Sequence, residues 1–277
     1  NTTGASNVAV GYTALTANTT ADYNTAVGNN ALGANTTGTR NTAVGALALD
    51  GNVTADYCTA LGYTALGAAN AANNNTAIGD SCLKLNTSGT NNTGLGQAAL
   101  DQNTTGGNNT ALGRGAMELN TTGDNNTAVG VAALDANTSG VFNTAIGYQA
   151  LTANTTASNN VAVGSTAGSN LTTGQSNVII GEAALYYETD GNAKTAVGYR
   201  ALHNDASIDG STGIGYHALY ANTTGAENVA VGRDALDANT TGGHNTAIGT
   251  YAGDAVTTGS NNVCVGYGSD TSGATES

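Results

Sequence analysis

The chain of 277 residues contains no Pro and no Trp, and Phe142 is its only Phe. Charged residues make up 9% of the sequence, against roughly a quarter in an ordinary globular protein. Only six residues are basic and the formal net charge is −13. Nucleic-acid backbones and anionic membranes both attract basic patches, so we expect neither as a partner. No apolar run reaches the length of a membrane-spanning segment, so we expect no membrane insertion.

What the sequence has instead is one motif, NTAVGxxALxxNTTG, repeated with variations along its length. Cut every seventeen residues from Asn1, residues 1–272 form sixteen blocks without insertion or deletion, and residues 273–277 remain as a tail. A fixed period of this kind predicts a tandem-repeat solenoid instead of separate globular domains. The chain does not begin with Met and starts in register with a block, so we interpret it as a mature product or a segment of a longer array.

Comparison of the blocks shows which positions are constrained. Position 11 is Gly in all sixteen blocks, and position 10 is always Val, Ile or Leu. Position 7 is Asn in thirteen blocks, position 8 is Thr in eleven and Val in five, and position 14 is Ala in fourteen. Positions 8 and 10 alternate with the period of a strand, and the apolar pair at positions 14 and 15 indicates a second strand. The N-T-T-G at positions 1 to 4 and the Gly at position 11 indicate turns.

Two strands and two turns per block predict one coil of a parallel β-solenoid. The fold class is therefore all-β, a β-roll of about sixteen 17-residue coils in which equivalent residues stack about 4.8 Å apart. We expect positions 8, 10 and 15 to face inward and the Ala at positions 9 and 14 to face outward. An outward Ala stripe would permit close approach of another copy, which predicts self-association as a trimer, a lateral assembly or an end-to-end filament. The Asn at position 7 predicts a ladder of stacked side-chain amides.

The segments Ser6–Gly11, Asn160–Gly164 and Asn228–Gly232 resemble the SVAIG-type repeats in the head domains of YadA-like trimeric autotransporter adhesins. The NTAVG and NTAIG repeats are also similar to those of some phage tail fibres and extracellular proteins. The resemblance covers about five residues in each of the sixteen blocks. It implies a left-handed parallel β-roll, usually trimeric, on a cell or virion surface, with adhesion to a surface glycan or host receptor. This chain differs from that pattern in its longer block and its recurrent NTTG.

The strongest modification signal is the sequon N-x-[ST], which marks exposed turns of secreted chains. Its regular occurrence at block position 1 predicts glycosylation there. The alternative is that Asn and Thr serve only as turn residues in a chain rich in both. The candidate glycosylation sites are Asn1, Asn18, Asn35, Asn52, Asn86, Asn103, Asn120, Asn137, Asn154, Asn222 and Asn239.

Residues able to hold a metal or perform catalysis are few and scattered. The three His fall at block positions 16, 13 and 6, so stacking does not bring them together and we expect no metal site: His203, His217 and His244. The three Cys also occupy different block positions and are interpreted as single substitutions, not disulfide partners: Cys58, Cys82 and Cys264. Consecutive acids at position 16 indicate a solvated edge, with a calcium site as the alternative: Asp101, Glu118 and Asp135.

These observations predict a non-enzymatic structural protein of an extracellular fibre or surface appendage, adhesive and glycosylated, with no cofactor. A phage tail-fibre shaft would share the fold and carry a receptor-binding tip. An ice-binding solenoid is a second alternative because Thr recurs at position 8, although Val replaces it in five blocks and we expect this position to face inward. An enzyme on a β-helix scaffold, such as a polysaccharide lyase, would need a cleft with clustered acids and bases.

Overall fold

The computed structural model describes residues 2–68, 72–206 and 210–270, which build a parallel β-solenoid with one coil for every seventeen residues. No helix occurs in these described residues. The predicted fold class and coil length are therefore confirmed. The chain divides into two compact units, an N-terminal unit of residues 1–141 and a C-terminal unit of residues 142–277. The predicted tail at 273–277 lies outside the described residues.

Each coil contributes one strand of three residues, at block positions 8 to 10. In the N-terminal unit the strands are β1 Val8–Val10, β2 Thr25–Val27, β3 Thr42–Val44, β4 Thr59–Leu61, β5 Thr76–Ile78, β6 Thr93–Leu95, β7 Thr110–Leu112 and β8 Thr127–Val129. In the C-terminal unit they are β9 Thr144–Ile146, β10 Val161–Val163, β11 Val178–Ile180, β12 Thr195–Val197, β13 Thr212–Ile214, β14 Val229–Val231, β15 Thr246–Ile248 and β16 Val263–Val265.

Successive strands within each unit pair in parallel, and each residue lies opposite its equivalent seventeen residues later, as Ala26 lies opposite Ala43. Gly at block position 11 follows every strand. Gly28 has φ of 141°, which L side chains rarely adopt, and a Cβ there would lie 2.4 Å from the carbonyl oxygen of Gly45 in the next coil. The backbone conformation and the close stacking at this corner both require Gly, which explains why position 11 never varies.

The second strand predicted around positions 14 and 15 is absent from the described coils, where positions 12 to 17 form turns. Residues at positions 13 and 15 have left-handed backbones, for example Asn30 with φ of 55° and Leu32 with φ of 50°. Neighbours on a strand point to opposite faces, yet Ala31 and Leu32 are both fully buried. The left-handed residues let two consecutive side chains enter the core.

The predicted faces of the remaining strand are reversed. Position 9 faces inward, where Ala26 and Ala43 are fully buried, while position 10 faces outward, where Val10 is 57% and Leu61 46% exposed. Position 15 faces inward as predicted, but position 14 faces inward as well. Positions 8 and 10 therefore share one face of the strand, as predicted, but that face points outward and not inward. The interior of a 17-residue coil has room for two Ala and one Leu, so the larger β-branched residues lie outside.

Paired substitutions of large and small residues show which core positions of neighbouring coils are in contact. Gly94 replaces Ala at position 9, and a Cβ there would lie 2.4 Å from the sulfur of Cys82, which replaces the smaller Ala at position 14. Ile179 is the large exception at position 9, and its Cδ1 fills the space beside Gly168, which replaces Leu at position 15 of the preceding coil. Position 9 thus packs against positions 14 and 15 of the coil before it.

Candidate functional site

The Asn side chains at block position 1 line the interior of the turn. Ten of the eleven predicted glycosylation sites are at most 1% exposed, and Asn1 lies outside the described residues: Asn18, Asn35, Asn52, Asn86, Asn103, Asn120, Asn137, Asn154, Asn222 and Asn239. The interpretation of this position as an exposed turn is therefore wrong. A side-chain amide that points into the coil leaves no path for a sugar attached to it.

The buried amides at position 1 form the stacked ladder that the sequence predicted for position 7. Asn103 Nδ2 donates to Asn86 Oδ1 at 2.8 Å, and Asn120 Nδ2 donates to Asn103 Oδ1 at 2.7 Å. Both Nδ2 groups also donate to the carbonyl of position 4 in their own turn, Asn103 to Gly106 at 2.9 Å and Asn120 to Gly123 at 3.1 Å; Asn154 is an exception to this pattern. The following Thr continues the turn, since Thr104 Oγ1 donates to the Thr121 carbonyl at 2.9 Å. The recurring sequon is thus turn chemistry inside this fold.

The Asn side chains at position 7 are buried too, but most of their bonds go to the backbone. Asn24 Oδ1 accepts the backbone N–H of Asn41 in the next coil at 2.9 Å, while its Nδ2 donates to the carbonyl of Gly38 at 2.8 Å. Direct amide-to-amide bonds occur at Asn177, whose Nδ2 donates to Asn160 Oδ1 at 3.1 Å. The Asn side chains at positions 1 and 7 therefore form hydrogen bonds with backbone N–H and C=O groups of the tight turns that have no partner in the β-sheet.

Coils of the C-terminal unit replace three of these amides with charged residues. Glu188 and Asp205 occupy position 1 of consecutive coils, and Lys194 occupies position 7 between them; all three side chains are fully buried. We call these residues the ionic triad. Lys194 Nζ is in close contact with Glu188 Oε2 and lies 3.2 Å from Asp205 Oδ2. Sequence analysis missed this site. The signal that could have found it is that adjacent blocks replace Asn with charged residues at both position 1 and position 7.

The outward strand face consists of positions 8 and 10 and contains no charged residue in any of the sixteen blocks. Position 10 presents aliphatic side chains that are substantially exposed, such as Leu95 at 45% and Leu112 at 41%. Position 8 presents Thr without interruption from β2 to β8 in the N-terminal unit, whereas Thr and Val are mixed from β9 to β16. The uncharged face lies on a chain of net charge −13.

Aromatic rings gather along the turns of coils 11 to 13 in the C-terminal unit. His203 stacks on Tyr186 with ring centroids 5.4 Å apart and on Tyr220 at 5.2 Å, and His217 lies 4.7 Å from Tyr220. The expectation that stacking keeps the His apart is therefore wrong for these two, which share a neighbour. The aromatic cluster consists of Tyr186, Tyr187, Tyr199, His203, Tyr216, His217 and Tyr220.

The other predicted sites remain separate. The three Cys are free and buried, in agreement with their interpretation as single substitutions. Within residues 2–68, 72–206 and 210–270, no group of three or more His, Cys, Asp or Glu is arranged to hold a metal ion. The acids at position 16, Asp101, Glu118 and Asp135, are half-buried, so this edge is less solvated than the sequence suggested, and burial raises the pKa of Asp101 and of Asp135.

A recess of about 230 Å³ lies beside that edge in the N-terminal unit, smaller than the roughly 300–1,000 Å³ of ordinary ligand pockets. It is lined by Asp50, Thr64, Gly67, Ala68, Lys84 and Leu85. None of the described segments forms a helix of the length and apolarity that crossing a membrane requires.

No protein-family model matches the sequence, and the comparison with curated proteins found no significant match.

Proposed function

We propose that the protein is a non-enzymatic structural component of an extracellular fibre or surface appendage, and that copies associate through the outward strand face. The observation that carries this proposal is the exposed, uncharged array of aliphatic side chains at position 10. Contiguous apolar surface on a soluble chain marks an interaction site. A second copy is the partner that fits, because two acidic chains meeting at this face bring no like charges together.

The test compares two Leu of similar exposure in the same coil. Leu112 lies on the outward strand face at 41% exposure, and Leu119 lies off it at 43%. We expect Leu112→Lys to lower the sedimentation coefficient to that of a monomer, while Leu119→Lys leaves the assembly intact. Equal effects of the two variants, or a monomeric wild-type chain at micromolar concentration, would contradict association through this face.

The adhesive part of the proposal is supported by the aromatic cluster. Tyr187 is 54% and Tyr216 47% exposed, and exposed aromatic rings with a polar edge suit the apolar faces of sugars. We expect binding to a subset of glycans on an array. Binding should be weakened by Tyr216→Ser and unaffected by Tyr63→Ser, which removes a Tyr of similar exposure (54%) in the N-terminal unit. A phage tail-fibre shaft would share both surfaces.

Ice binding is a second candidate, because the corrected faces place the Thr of position 8 outside. Seven consecutive Thr, one in each strand from β2 to β8, repeat at about the 4.8 Å spacing of stacked strands and form a regular hydroxyl array. Replacing Thr76, Thr93 and Thr110 together by Val, the residue that other blocks carry there, separates the candidates. Loss of ice-recrystallisation inhibition would support ice binding, whereas self-association through the aliphatic residues should persist.

A further inference from the structure

The ionic triad is a site that a structural role alone does not require. The other described coils fill positions 1 and 7 mostly with Asn, or with single small or apolar residues such as Leu171 and Val256. Coils 12 and 13 instead bury an amine between two carboxyl groups without solvent exposure. Two carboxylates and one ammonium carry an excess negative charge, which is costly in a dry interior. A proton on one carboxyl makes the set neutral.

The surrounding backbone holds the three groups in place. Glu188 Oε1 accepts the backbone N–H groups of Thr189, Asp190 and Gly191 at 2.9, 3.1 and 2.9 Å. A Cβ at Gly191 would lie 2.6 Å from Glu188 Oε2 and 2.7 Å from Lys194 Nζ. The absence of a side chain at Gly191 is therefore what lets the amine reach the carboxyl groups.

The two carboxyl groups have different environments. Three N–H donors on one oxygen stabilise Glu188 as a carboxylate. Asp205 Oδ1 accepts a hydrogen bond from the neutral amide of Asn222 at 3.1 Å, and its Oδ2 faces Lys194 Nζ at 3.2 Å. Glu188 is fixed by the N–H groups of its own turn and is assigned the role of base, and Asp205, which belongs to the next coil, is assigned the electrophilic role.

We propose that Lys194 and Asp205 condense to form an amide bond that links coil 12 covalently to coil 13, with Glu188 as the proton acceptor. The Lys194 ammonium gives a proton to Glu188, and the amine attacks Cγ of the protonated Asp205 carboxyl. The Nζ–Cγ bond forms, the bond from Cγ to the hydroxyl oxygen breaks, and one water molecule leaves with the second amine proton. Glu188 keeps the first proton, so every product is neutral and no oxidant or reductant is needed.

The proximity of the reacting groups favours this step. Holding the amine and the carboxyl at contact distance converts a bimolecular condensation into an intramolecular one, and the dry interior removes the water that would favour hydrolysis. The bond would tie two neighbouring coils of the C-terminal unit against separation under load or heat. This inference stands apart from self-association, adhesion and ice binding, because it concerns groups that no partner can touch in the folded unit.

Intact-mass measurement of the purified, denatured full-length protein tests the proposal. We expect a mass lower than that of the linear sequence by one water molecule. Trypsin cuts after Arg200, between the two residues, so the peptides on either side should remain joined, and cleavage after Lys194 should be lost. Lys194→Asn, Glu188→Asn and Asp205→Val each introduce a residue that other blocks carry at the same position, and each should restore the unreduced mass.

Three outcomes would overturn the proposal. One is a wild-type mass equal to that of the sequence, which would leave the triad as an ion pair only. Another is a water loss confined to one peptide with normal cleavage at Lys194, the signature of a succinimide at an Asp-Gly step such as Asp190-Gly191. The third is a link between Lys194 and Glu188, which would assign the electrophile to the wrong carboxyl. Persistence of the joined peptides in Glu188→Asn would remove Glu188 as the base.

Discussion

The two units build the same coil but differ in how they fill buried positions 1 and 7. In the described part of the N-terminal unit, these positions hold Asn with the single exception of Cys58. In the C-terminal unit they also accept Leu171, Val256, Ser211 and the ionic triad. The coil therefore accepts other residue types at these positions, including Leu171 and Val256, whose side chains cannot form the hydrogen bonds that Asn makes there.

Glu188 keeps one of the backbone contacts that Asn makes at position 1. Asn52 Oδ1 accepts the N–H of position 4 in its turn, Ala55, at 2.9 Å, and Glu188 Oε1 accepts the equivalent N–H of Gly191 at the same distance. Lys194 keeps the bond from its own N–H to Asn177 Oδ1 at 2.9 Å. The charged set thus inherits the backbone contacts of the amide ladder and adds its own ion pairs. Among the described residues, Glu188, Lys194 and Asp205 are the buried charged side chains, and they lie together.

The largest expected effect comes from breaking the triad. Lys194→Met leaves two buried carboxyl groups without the amine that lies between them, and we expect it to lower the unfolding free energy of the C-terminal unit by about 3–5 kcal/mol. The matched change in the N-terminal unit, Asn109→Met, removes neutral hydrogen bonds and should cost about 1–3 kcal/mol. Hydrogen exchange in increasing urea, followed by mass spectrometry on peptides of each unit, measures both.

The triple variant Glu188→Asn, Lys194→Asn and Asp205→Asn is the control for that comparison. It installs the amide set of the N-terminal unit in the C-terminal unit, so we expect it to recover most of the stability lost in Lys194→Met. Equal losses in Lys194→Met and Asn109→Met would show that the charges are not coupled as a group.

Much of the fold could be predicted because stacking imposes an unbroken period on the sequence. The coil length, the parallel arrangement, the turn at Gly28 and its equivalents, and the strand at position 8 to 10 all follow from the seventeen-residue repeat. Which of the two alternating sets of side chains faces the core could not be predicted. Apolar residues such as Leu61 are tolerated on the outside, and the alternation does not indicate how much volume the interior offers. The left-handed backbone at Leu32 was also hidden, since Leu has no preference for it.

The sites were predicted less well than the fold. A sequon indicates a turn, but it does not reveal whether the amide of Asn103 points outward or inward. The ionic triad depends on contacts between coils, and these follow from the sequence only after position 1 is known to lie beside position 7. Once that geometry is known, the replacement of Asn by Glu188, Lys194 and Asp205 can be recognised as three substitutions that belong together.

The second prediction concerns the size exchange in the core of the C-terminal unit. Ile179→Ala should cost about 2–5 kcal/mol, because Gly168 leaves the cavity unfilled. Gly168→Leu should cost about 1–3 kcal/mol through overpacking against Ile179. The double variant recreates the Leu and Ala pair of other coils, so its loss should be smaller than either single loss. Urea denaturation of the four proteins gives the coupling directly, and simple additivity would show that positions 9 and 15 do not share this space.

The third prediction concerns the reactivity of the buried thiols, two of which lie in the N-terminal unit and one in the C-terminal unit. Burial raises the pKa of Cys58 to about 11 and that of Cys82 to about 12, from an ordinary value of 9.0, and it also raises the pKa of Cys264. Below pH 9 the Cys58 thiolate should therefore be roughly 100-fold scarcer than in the unfolded chain. We expect iodoacetamide to label all three Cys in urea and to leave Cys58 and Cys82 unlabelled in the native protein at pH 8, as counted by intact mass.

The same shifts predict a loss of stability in alkali. A thiol whose pKa is higher in the folded state contributes its full stability below the unfolded pKa, and that contribution disappears as pH rises through the folded value. For Cys58 the decline should begin near pH 9 and continue to about pH 11. Cys58→Asn, which restores the residue of the other coils, should flatten this part of the curve. An unchanged alkaline curve would show that another group titrates there.

The smallest expected effect is an acid sensitivity that only the C-terminal unit should show, since all three His of the chain lie in it. Burial lowers the pKa of His203 from its ordinary 6.5; the hydrogen bond to Asn204 opposes the shift, and the charges of Arg200 and His217 add to it. The unfolded chain therefore takes up a proton before the folded one does. Stability from this group is complete above pH 6.5 and declines as pH falls through that value. We expect the hydrogen-exchange stability of coils 12 and 13 to fall as the pH is lowered below about 6.5 and His203→Gln to remove this slope, whereas His244→Gln, at an exposed ring, should leave it unchanged. A slope of equal size in the N-terminal unit would mean that His203 is not its source.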